Sequence, residues 1–316
     1  MWVVKNRNWI VGIIGALMLV TLVLTFSWKP NLSIEFTGGT VITGEYASSS
    51  PSVTAIQESL ESLELGTVRL QPLGEKGLVM RSRDLSQDEH AKVVALLSDG
   101  TNEFKETSLS TVGPSVGKEL RQKAVLSVLL VLILIILFVA YAFRSVSNVV
   151  SSWKYGIVVV ITLVHDIFVP TGVFVILSHY LIGYEIDTLF VTALLAILGY
   201  SVADTIVVFD RIRENLKNSP EIKPPGTEGL ISESFADLVG RSLRETYVRS
   251  TNTSLTTVLA SLAIFFFGGE ATKHFALMLA VGITAGTYSS ILLASPLLVL
   301  ISGKSPKLKF EAQNKP

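Results

Sequence analysis

The sequence lacks cysteine altogether and holds only four His among its 316 residues. Without Cys there can be no disulfide framework, thiolate zinc site, iron-sulfur cluster or cysteine nucleophile. Four His leave little room for a metal cage built from imidazoles. We therefore predict that the chain carries no metal and no cofactor.

Charge is scarce as well, and neither sign is in excess. Charged residues make up 16 % of the chain, and 26 Lys and Arg balance 26 Asp and Glu, so the formal net charge is zero. A protein that binds nucleic acid by neutralising phosphates needs a positive excess. The balance therefore argues against nucleic acid as a partner.

Apolar residues are abundant instead. They form 49 % of the chain, and the mean hydropathy of +0.53 is higher than a soluble domain of this size requires. Stretches of about 20 apolar residues, enough to cross a hydrocarbon layer of about 30 Å, predict transmembrane helices. Six such stretches occur, at 9–28, 124–143, 155–177, 187–209, 251–268 and 275–301. The first is too long for a cleaved signal peptide and is bounded by Trp at both ends, so we interpret it as a retained helix.

The positions of Lys and Arg predict the orientation of these spans. Basic residues cluster before the first span, between the second and third, between the fourth and fifth, and after the sixth. Between the third and fourth spans there are none, and between the fifth and sixth there is only Lys273. Because basic loops stay on the cytoplasmic side, both termini should be cytoplasmic. Lys118, Arg121 and Lys123 oppose this rule, but they close a long loop, in which charge has little influence.

Residues 29–112 are predicted to form a small extracytoplasmic domain. Helical and alternating apolar patterns are separated there by turn residues, and Ser86 with Glu89 forms a capping box. The predicted strands lie at 31–46, 68–73, 78–82 and 104–112, and the helices begin at Ser50-Pro51 and at Ser86. The order β-α-β-β-α-β is that of an α+β ferredoxin-like domain. Since no nucleophile elbow, metal-ligand spacing or phosphate loop occurs in it, we expect a binding or mechanical module.

The whole chain is thus predicted to divide into four parts. Residues 1–28 hold the cytoplasmic N-terminus and the first span, and 29–112 form the external domain. Residues 113–302 hold spans two to six, with an interfacial helix near 230–246 whose apolar residues recur at helical spacing. The tail, 303–316, is predicted to be cytoplasmic.

Four motifs resemble the SecF family of membrane proteins. They are Phe-Thr-Gly-Gly-Thr at 36–40, Val-Gly-Pro-Ser-Val-Gly-Lys-Glu-Leu at 112–120, the long run from Gly199 to Asn215, and Arg-Ser-Thr-Asn-Thr-Ser at 249–254. The resemblance implies half of a resistance-nodulation-division (RND) permease in the bacterial inner membrane. It also implies a role in protein export driven by the proton motive force. The implied partners are SecD, the SecYEG channel with its YajC-type subunit, the translocating preprotein and membrane lipid.

The sequence departs from the family pattern at two places, and two other functions compete with export. Glu35 stands where the family usually has Asp, and the Pro-rich segment 219–229 is longer than usual. The alternative to export is half of an RND-type small-molecule or lipid exporter, although 29–112 offers little room for a substrate cleft. An intramembrane enzyme is disfavoured because neither His-Glu-x-x-His nor Gly-x-Ser-x-Gly occurs. We predict that the chain is not an enzyme.

Asp204 and Arg249 are the main candidate site residues. Asp204 lies five residues inside the cytoplasmic end of the fourth span, about 7.5 Å deep at 1.5 Å per residue. A carboxylate in a span costs about 2.5–3.5 kcal/mol at the helix centre, so it should be paired, protonated or close to water. Arg249 at the mouth of the fifth span is the natural partner, and the resemblance places the family's functional Arg there. The pair could relay protons or lock two spans together, and the resemblance favours the relay.

His165 and Asp166 form a second candidate site in the third span. Pro170 removes the hydrogen bond that the carbonyl of Asp166 would otherwise accept. The pair could be a secondary proton relay or a static hydrogen-bond network, and the residues alone support both. In the sixth span, Gly282 and Gly286 predict close contact with another helix.

Overall fold

The computed structural model describes residues 2–28, 30–66, 68–98, 102–143, 151–181, 184–218 and 234–302. The predicted Pro-rich segment 219–229 and the tail 303–316 lie outside these residues. The chain forms two compact units, one of Met1–Lys29, Val128–His179 and Leu189–Pro316 and one of Pro30–Ser127 and Tyr180–Thr188. We call them the helical unit and the sheet unit.

The helices and strands are named in chain order. The α-helices are α1 (Trp2–Lys5), α2 (Arg7–Ser27), α3 (Ile34–Thr37), α4 (Val53–Leu60), α5 (Gln87–Leu97), α6 (Pro114–Ala142), α7 (Ser152–Tyr180), α8 (Thr188–Lys217), α9 (Phe235–Phe267), α10 (Glu270–Ser289) and α11 (Ser295–Ser302). The strands are β1 (Gly39–Tyr46), β2 (Arg69–Leu73), β3 (Gly77–Ser82) and β4 (Phe104–Val112).

The sheet unit has the predicted ferredoxin-like arrangement. Its four strands are ordered β2-β3-β1-β4, and each neighbouring pair is antiparallel. Its core contains Ile42, Leu78 and Met80 from the sheet together with Ile56 of α4 and Val93 of α5. The apolar residues that alternate along the strands and those that recur every 3.6 residues along the helices therefore pack into one shared core, as expected for an α+β domain.

The first predicted strand, 31–46, is only partly a strand. Ile34–Thr37 forms the short helix α3, because the Ser33 side chain accepts a hydrogen bond from the amide of Glu35 and so caps it. Gly38, with φ of 73°, ends that helix in a conformation that glycine adopts without strain. The strand begins at Gly39, and Glu35 is therefore in a helical turn rather than in the sheet.

The α7–α8 connection belongs to the sheet unit. Leu32 and Ile186 form a parallel bridge, in which the amide of Ser33 donates to the carbonyl of Ile186 at 3.0 Å. Glu35 accepts a hydrogen bond from the amide of Thr188, the first residue of α8, at 2.8 Å. Arg81 of β3 forms an ion pair with Glu185, whose pKa is nevertheless raised because burial outweighs the guanidinium. Through its hydrogen bond with Thr188, the Glu35 carboxylate caps the N-terminus of α8. The sequence did not predict this contact.

The capping box of α5 is formed as predicted. Glu89 accepts from the amide of Ser86 at 2.9 Å and from Arg83 at 2.5 Å. The hydrogen bonds of Arg83 and Ser86 lower the pKa of Glu89 to about 2.

Glu89→Gln should weaken amide protection in α5 at neutral pH. Because the pKa of Glu89 is lower in the folded chain, its contribution is present above about pH 4.5 and is lost as the pH falls to about 2. Hydrogen exchange of α5 in the full chain should therefore differ between variant and wild type above pH 4.5, and the difference should vanish near pH 2. Glu58→Gln, at an exposed position of α4, is the control. A difference that persists unchanged at pH 2 would contradict the assignment.

Within the described residues, six helical segments are long and apolar enough to cross a membrane, as predicted. They are Arg7–Ser27, Pro114–Ala142, Trp153–Tyr180, Thr188–Lys217, Phe235–Phe267 and Thr272–Ser302. The last of these contains a π-helical turn, Ser290–Ala294, between α10 and α11. The third and sixth are mostly buried, whereas the first, second and fifth are mostly exposed.

The predicted interfacial helix near 230–246 is not separate. From Phe235 onward its residues form the first part of α9, which continues through the predicted fifth span to Phe267. Residues 230–233 lie outside the part of the chain that the structure describes. Leu238, Val239 and Leu243, which we predicted to lie along the membrane surface, are instead buried in the core of the helical unit. No helix breaker stands between the two segments, and this explains why the helix continues.

The small-residue face of α10 makes the predicted close contact. A Cβ atom added at Gly282 would lie 2.1 Å from a side-chain carbon of Ile197, and one added at Gly286 would lie 2.8 Å from Ser201. Both neighbours are on α8. The two glycines therefore let α10 approach α8 more closely than any larger residue would allow.

Candidate functional site

Asp204 lies on the buried face of α8. The residue is 8 % exposed, and the hydroxyl of Ser250 on α9 donates a hydrogen bond to its Oδ1. Its Oδ2 is buried and has no hydrogen-bond partner among the described residues. A buried carboxylate oxygen without a donor is costly when it is ionised, and a protonated carboxyl avoids that cost.

A cavity of about 150 Å³ adjoins Asp204. It is lined by Tyr200, Ala203, Asp204, Val207, Arg249, Ser250 and Thr253. The hydroxyl of Tyr200 donates to the carbonyl of Thr253 at 2.8 Å, which holds α8 against α9 at one end of the cavity. This volume is large enough to admit several water molecules.

Arg249 lies at the same cavity but does not pair with Asp204. In the described residues there is no ion pair within 4.0 Å between them, and Arg249 is exposed. The predicted contact is thus replaced by the hydrogen bond from Ser250, the next residue of α9. Both groups nevertheless line one cavity, so the Arg249 guanidinium and the Asp204 carboxyl face the same space.

A second, polar cavity of about 470 Å³ shares Val207 and Arg249 with the first. Its other lining residues are Ile206, Asp210, Arg211, Glu214, Glu245 and Thr246. Arg249 therefore stands between a cavity lined by charged residues and the buried carboxyl of Asp204.

Several charged residues at this polar cavity form ion pairs. Arg211 contacts Glu245 at 2.5 Å and Glu214 at 2.6 Å, and Asn215 donates to Glu245 at 2.9 Å. Arg213 pairs with Asp210. The contacts of Arg211 and Asn215 with Glu245 join α8 to α9.

His165 and Asp166 form a separate, fully buried cluster. His165 Nδ1 lies 2.8 Å from Asp166 Oδ1, and the Ser201 hydroxyl donates to Asp166 Oδ2. The Tyr288 hydroxyl lies 3.0 Å from His165 Nε2. The two candidate pairs thus meet α8 almost one helical turn apart on the same side, one through Ser201 and the other through Asp204 itself.

Ser250, Ser201, Tyr288 and Glu245 were not identified from the sequence. A signal for Ser250 was present, because Ser242, Thr246, Ser250 and Ser254 recur every four residues along α9 and are all buried. Small polar residues at this spacing mark a helix contact face in a membrane. No comparable local pattern points to Tyr288, whose partner His165 is 123 residues away.

In the described part of the chain, no group of three or more His, Cys, Asp or Glu could hold a metal ion. The chemistry that this arrangement allows is proton binding, since its candidate groups are carboxyls, an imidazole, hydroxyls and a guanidinium.

The chain resembles known proteins over most of its length. The family model described as protein export membrane protein SecD/SecF, C-terminal, matches residues 92–304. The protein translocase subunit SecF of Thermobaculum terrenum is 43 % identical over 226 residues, which cover 71 % of this chain and 67 % of the relative. The subunit SecF of Calditerrivibrio nitroreducens is 35 % identical over 294 residues, which cover 91 % of this chain and 89 % of the relative.

Solved structures agree with these relatives. The crystal structure of SecDF from Thermus thermophilus is similar with a TM-score of 0.76 and 33 % identity, over 94 % of this chain and 38 % of that one. SecDF in a super-membrane-facing form is similar with a TM-score of 0.63 and 32 % identity. This chain thus spans little more than a third of the SecDF polypeptide. By sequence over most of its length and by fold, the chain belongs to the SecF family of protein translocase subunits.

Proposed function

We propose that this chain works with SecD in the bacterial inner membrane and uses the proton motive force to complete preprotein translocation. Its termini are cytoplasmic, and its further partners are the SecYEG channel with a YajC-type subunit and the preprotein. One observation carries the proposal: the carboxyl of Asp204 is buried within a membrane-spanning helix, with one oxygen unpartnered and a cavity beside it. Such a group binds and releases protons rather than serving only as a structural contact.

Binding of a proton removes the negative charge of Asp204 and with it the attraction of this side chain for a cation. When Asp204 is ionised, its free oxygen favours a cation, and the Arg249 guanidinium on the same cavity wall can supply it. When Asp204 is protonated, that attraction is lost and Arg249 returns toward the polar cavity. The proton thereby biases the position of α9 relative to α8, which are joined at this point by the hydrogen bond from Ser250.

The energy available is sufficient for this bias. One elementary charge moving through 100 mV corresponds to about 2.3 kcal/mol. At about 1.4 kcal/mol per factor of ten, that shifts a two-state equilibrium roughly fifty-fold. A single carboxyl can therefore drive a conformational cycle.

The exposed apolar faces support a membrane site with a protein partner. On α6, Leu126, Leu130, Ile133 and Leu137 are each about half exposed or more. Surfaces of this kind are covered by lipid or by another helix bundle. Because the similar SecDF chain is much longer than this one, we propose that SecD supplies a second helix bundle there.

Export into inverted membrane vesicles tests the proposal. Vesicles that contain SecYEG and SecD, with and without this chain, are given a preprotein and ATP, and translocation is measured before and after a protonophore. We expect the chain to raise the yield of completed translocation only while the gradient persists. Stimulation of equal size in the presence of the protonophore would contradict a proton-driven role.

A further inference from the structure

The cluster around Asp166 contains more titratable groups than a helix contact requires. His165 and Asp166 are both 0 % exposed, and they lie in the middle of α7. The groups that contact this pair from the neighbouring helices are the hydroxyls of Ser201 and Tyr288, neither of which is charged at neutral pH. The described contacts therefore include no Lys or Arg that would compensate a carboxylate.

Counting the protons of this cluster defines two states. One proton always lies between His165 Nδ1 and Asp166 Oδ1, so the pair has a net charge of −1 when it holds that proton alone. A second proton, on Nε2, makes the pair an imidazolium and a carboxylate with no net charge. A buried net charge is costly, whereas a neutral hydrogen-bonded pair is not. The site is therefore suited to take up a proton from its surroundings.

Tyr288 is the group through which that proton can arrive. Its hydroxyl is 3.0 Å from His165 Nε2, and the residue also lines a cavity of about 340 Å³ between α9 and the last span. Thr251 of α9 lines the same cavity, and its hydroxyl is buried without a hydrogen-bond partner among the described residues. A cavity of this size with an unpartnered hydroxyl on its wall can hold water.

We propose that His165, Asp166 and Tyr288 form a second proton-exchange site, reached from the cavity that Tyr288 and Thr251 line. A hydronium ion in the cavity gives a proton to the Tyr288 oxygen, while the Tyr288 hydroxyl proton passes to His165 Nε2. The products are water, tyrosine and an imidazolium, so that charge and atoms balance. In the protonated state Nε2–H donates to the Tyr288 oxygen, and the Tyr288 hydroxyl turns to donate into the cavity.

Hydrogen bonds connect the surroundings of His165, Asp166 and Tyr288 to residues of α8 close to Asp204. Ser201, which donates to Asp166, lies three residues before Asp204 on α8, almost one helical turn away. Ser290 of the π-helical turn shares a hydrogen bond with Thr205 at 2.8 Å, the residue that follows Asp204. Tyr288 lies two residues before Ser290, and π-helical turns are frequent at functional sites. The proposal rests on the proton-driven function proposed above and adds a second site to it.

Nuclear magnetic resonance of the full chain, with its partner bundle, tests the proposal directly. The four His can be labelled with nitrogen-15 in the ring, and His90→Gln, His179→Gln and His274→Gln assign the remaining signal to His165 by elimination. Spectra are recorded from about pH 8 to about pH 5, and we expect the ring signals of His165 to show both a neutral and a cationic form. An imidazole that keeps one protonation state over this range would overturn the proposal, since the cluster would then be a static network.

The role of Tyr288 is tested by the rate of proton exchange at His165. Tyr288→Phe should slow the exchange about 100-fold, the lower end of what a positioned acid or base contributes. Tyr155→Phe is the matched control, because the Tyr155 hydroxyl is also buried in the helical unit but has no hydrogen-bond partner in the described structure. Equal exchange rates in the two variants would overturn the assigned role.

Failure of this proposal can be told apart from failure of the proposed function. The titration of His165 is read from its own signal, and it should persist in Asp204→Asn even though export stimulation is lost. If His165 does not titrate while the wild-type chain still stimulates export, only the second site is refuted.

Discussion

Asp204→Asn is expected to abolish stimulation of export by the proton motive force while the chain still assembles with its partner. Asn has nearly the shape of Asp, and its side-chain oxygen can still accept the hydrogen bond from Ser250. It cannot bind or release a proton, so the bias of roughly fifty-fold that one charge supplies at 100 mV is lost. The measurement is translocation into vesicles with and without a protonophore, which should be equal for this variant.

The matched control for this prediction is Asp210→Asn. Asp210 lies on the same helix, at the polar cavity, and pairs with Arg213. Six residues turn an α-helix by about 240° beyond Asp204, so Asp210 lies on another face. We expect this variant to keep most of the proton-dependent stimulation. Normal stimulation by Asp204→Asn would exclude Asp204 as the proton carrier.

Arg249→Gln is expected to lose nearly as much stimulation as Asp204→Asn. In our proposal, the Arg249 guanidinium is attracted to the Asp204 carboxyl when that group is ionised and not when it is protonated. Gln carries no charge, so this attraction is lost. Arg249→Lys should keep part of the activity, because Lys retains the charge but lacks the planar fork of donors. Translocation yield against the size of the imposed gradient would show both effects.

The control for Arg249 is Arg244→Gln. Arg244 is an exposed residue of α9, five positions earlier, and it lines neither of the two cavities that share Arg249. If the two substitutions reduce stimulation equally, the effect of Arg249 comes from general loss of basic charge. If Arg249→Gln alone leaves stimulation intact, Arg249 has no part in the cycle.

Much of the fold could be predicted because its determinants are local. Strand β4, the capping box at Ser86 and the six spans follow from alternation, end signals and long apolar runs. Helix α3 was missed because four residues give no periodic signal, and its formation depends on the Ser33 side chain and the positive φ of Gly38. The first half of α9 was misplaced because an apolar face that packs into a core and one that lies on a membrane have the same spacing.

The candidate site could be predicted only in part, because its contacts are long-range. A charged residue inside an apolar run identifies Asp204 from the sequence alone. Its partner Ser250 is 46 residues away, and only the folded helices bring it closer than Arg249. The hydroxyls around His165 and Asp166 come from two further helices, so the sequence could name the pair but not the groups that surround it.

The π-helical turn at Ser290–Ala294 fixes the angular phase of the end of the chain's last span. A π turn holds one residue more than an α-helical turn, and each residue of an α-helix corresponds to about 100° of rotation. Without the π turn, that extra residue would rotate α11 by this angle. Deleting it would restore regular α-helical winding and leave the angular phase of α11 nearly unchanged. Leu298 and Val299, which are buried in the same core cluster as Val3 and Val4, would then stay in that core.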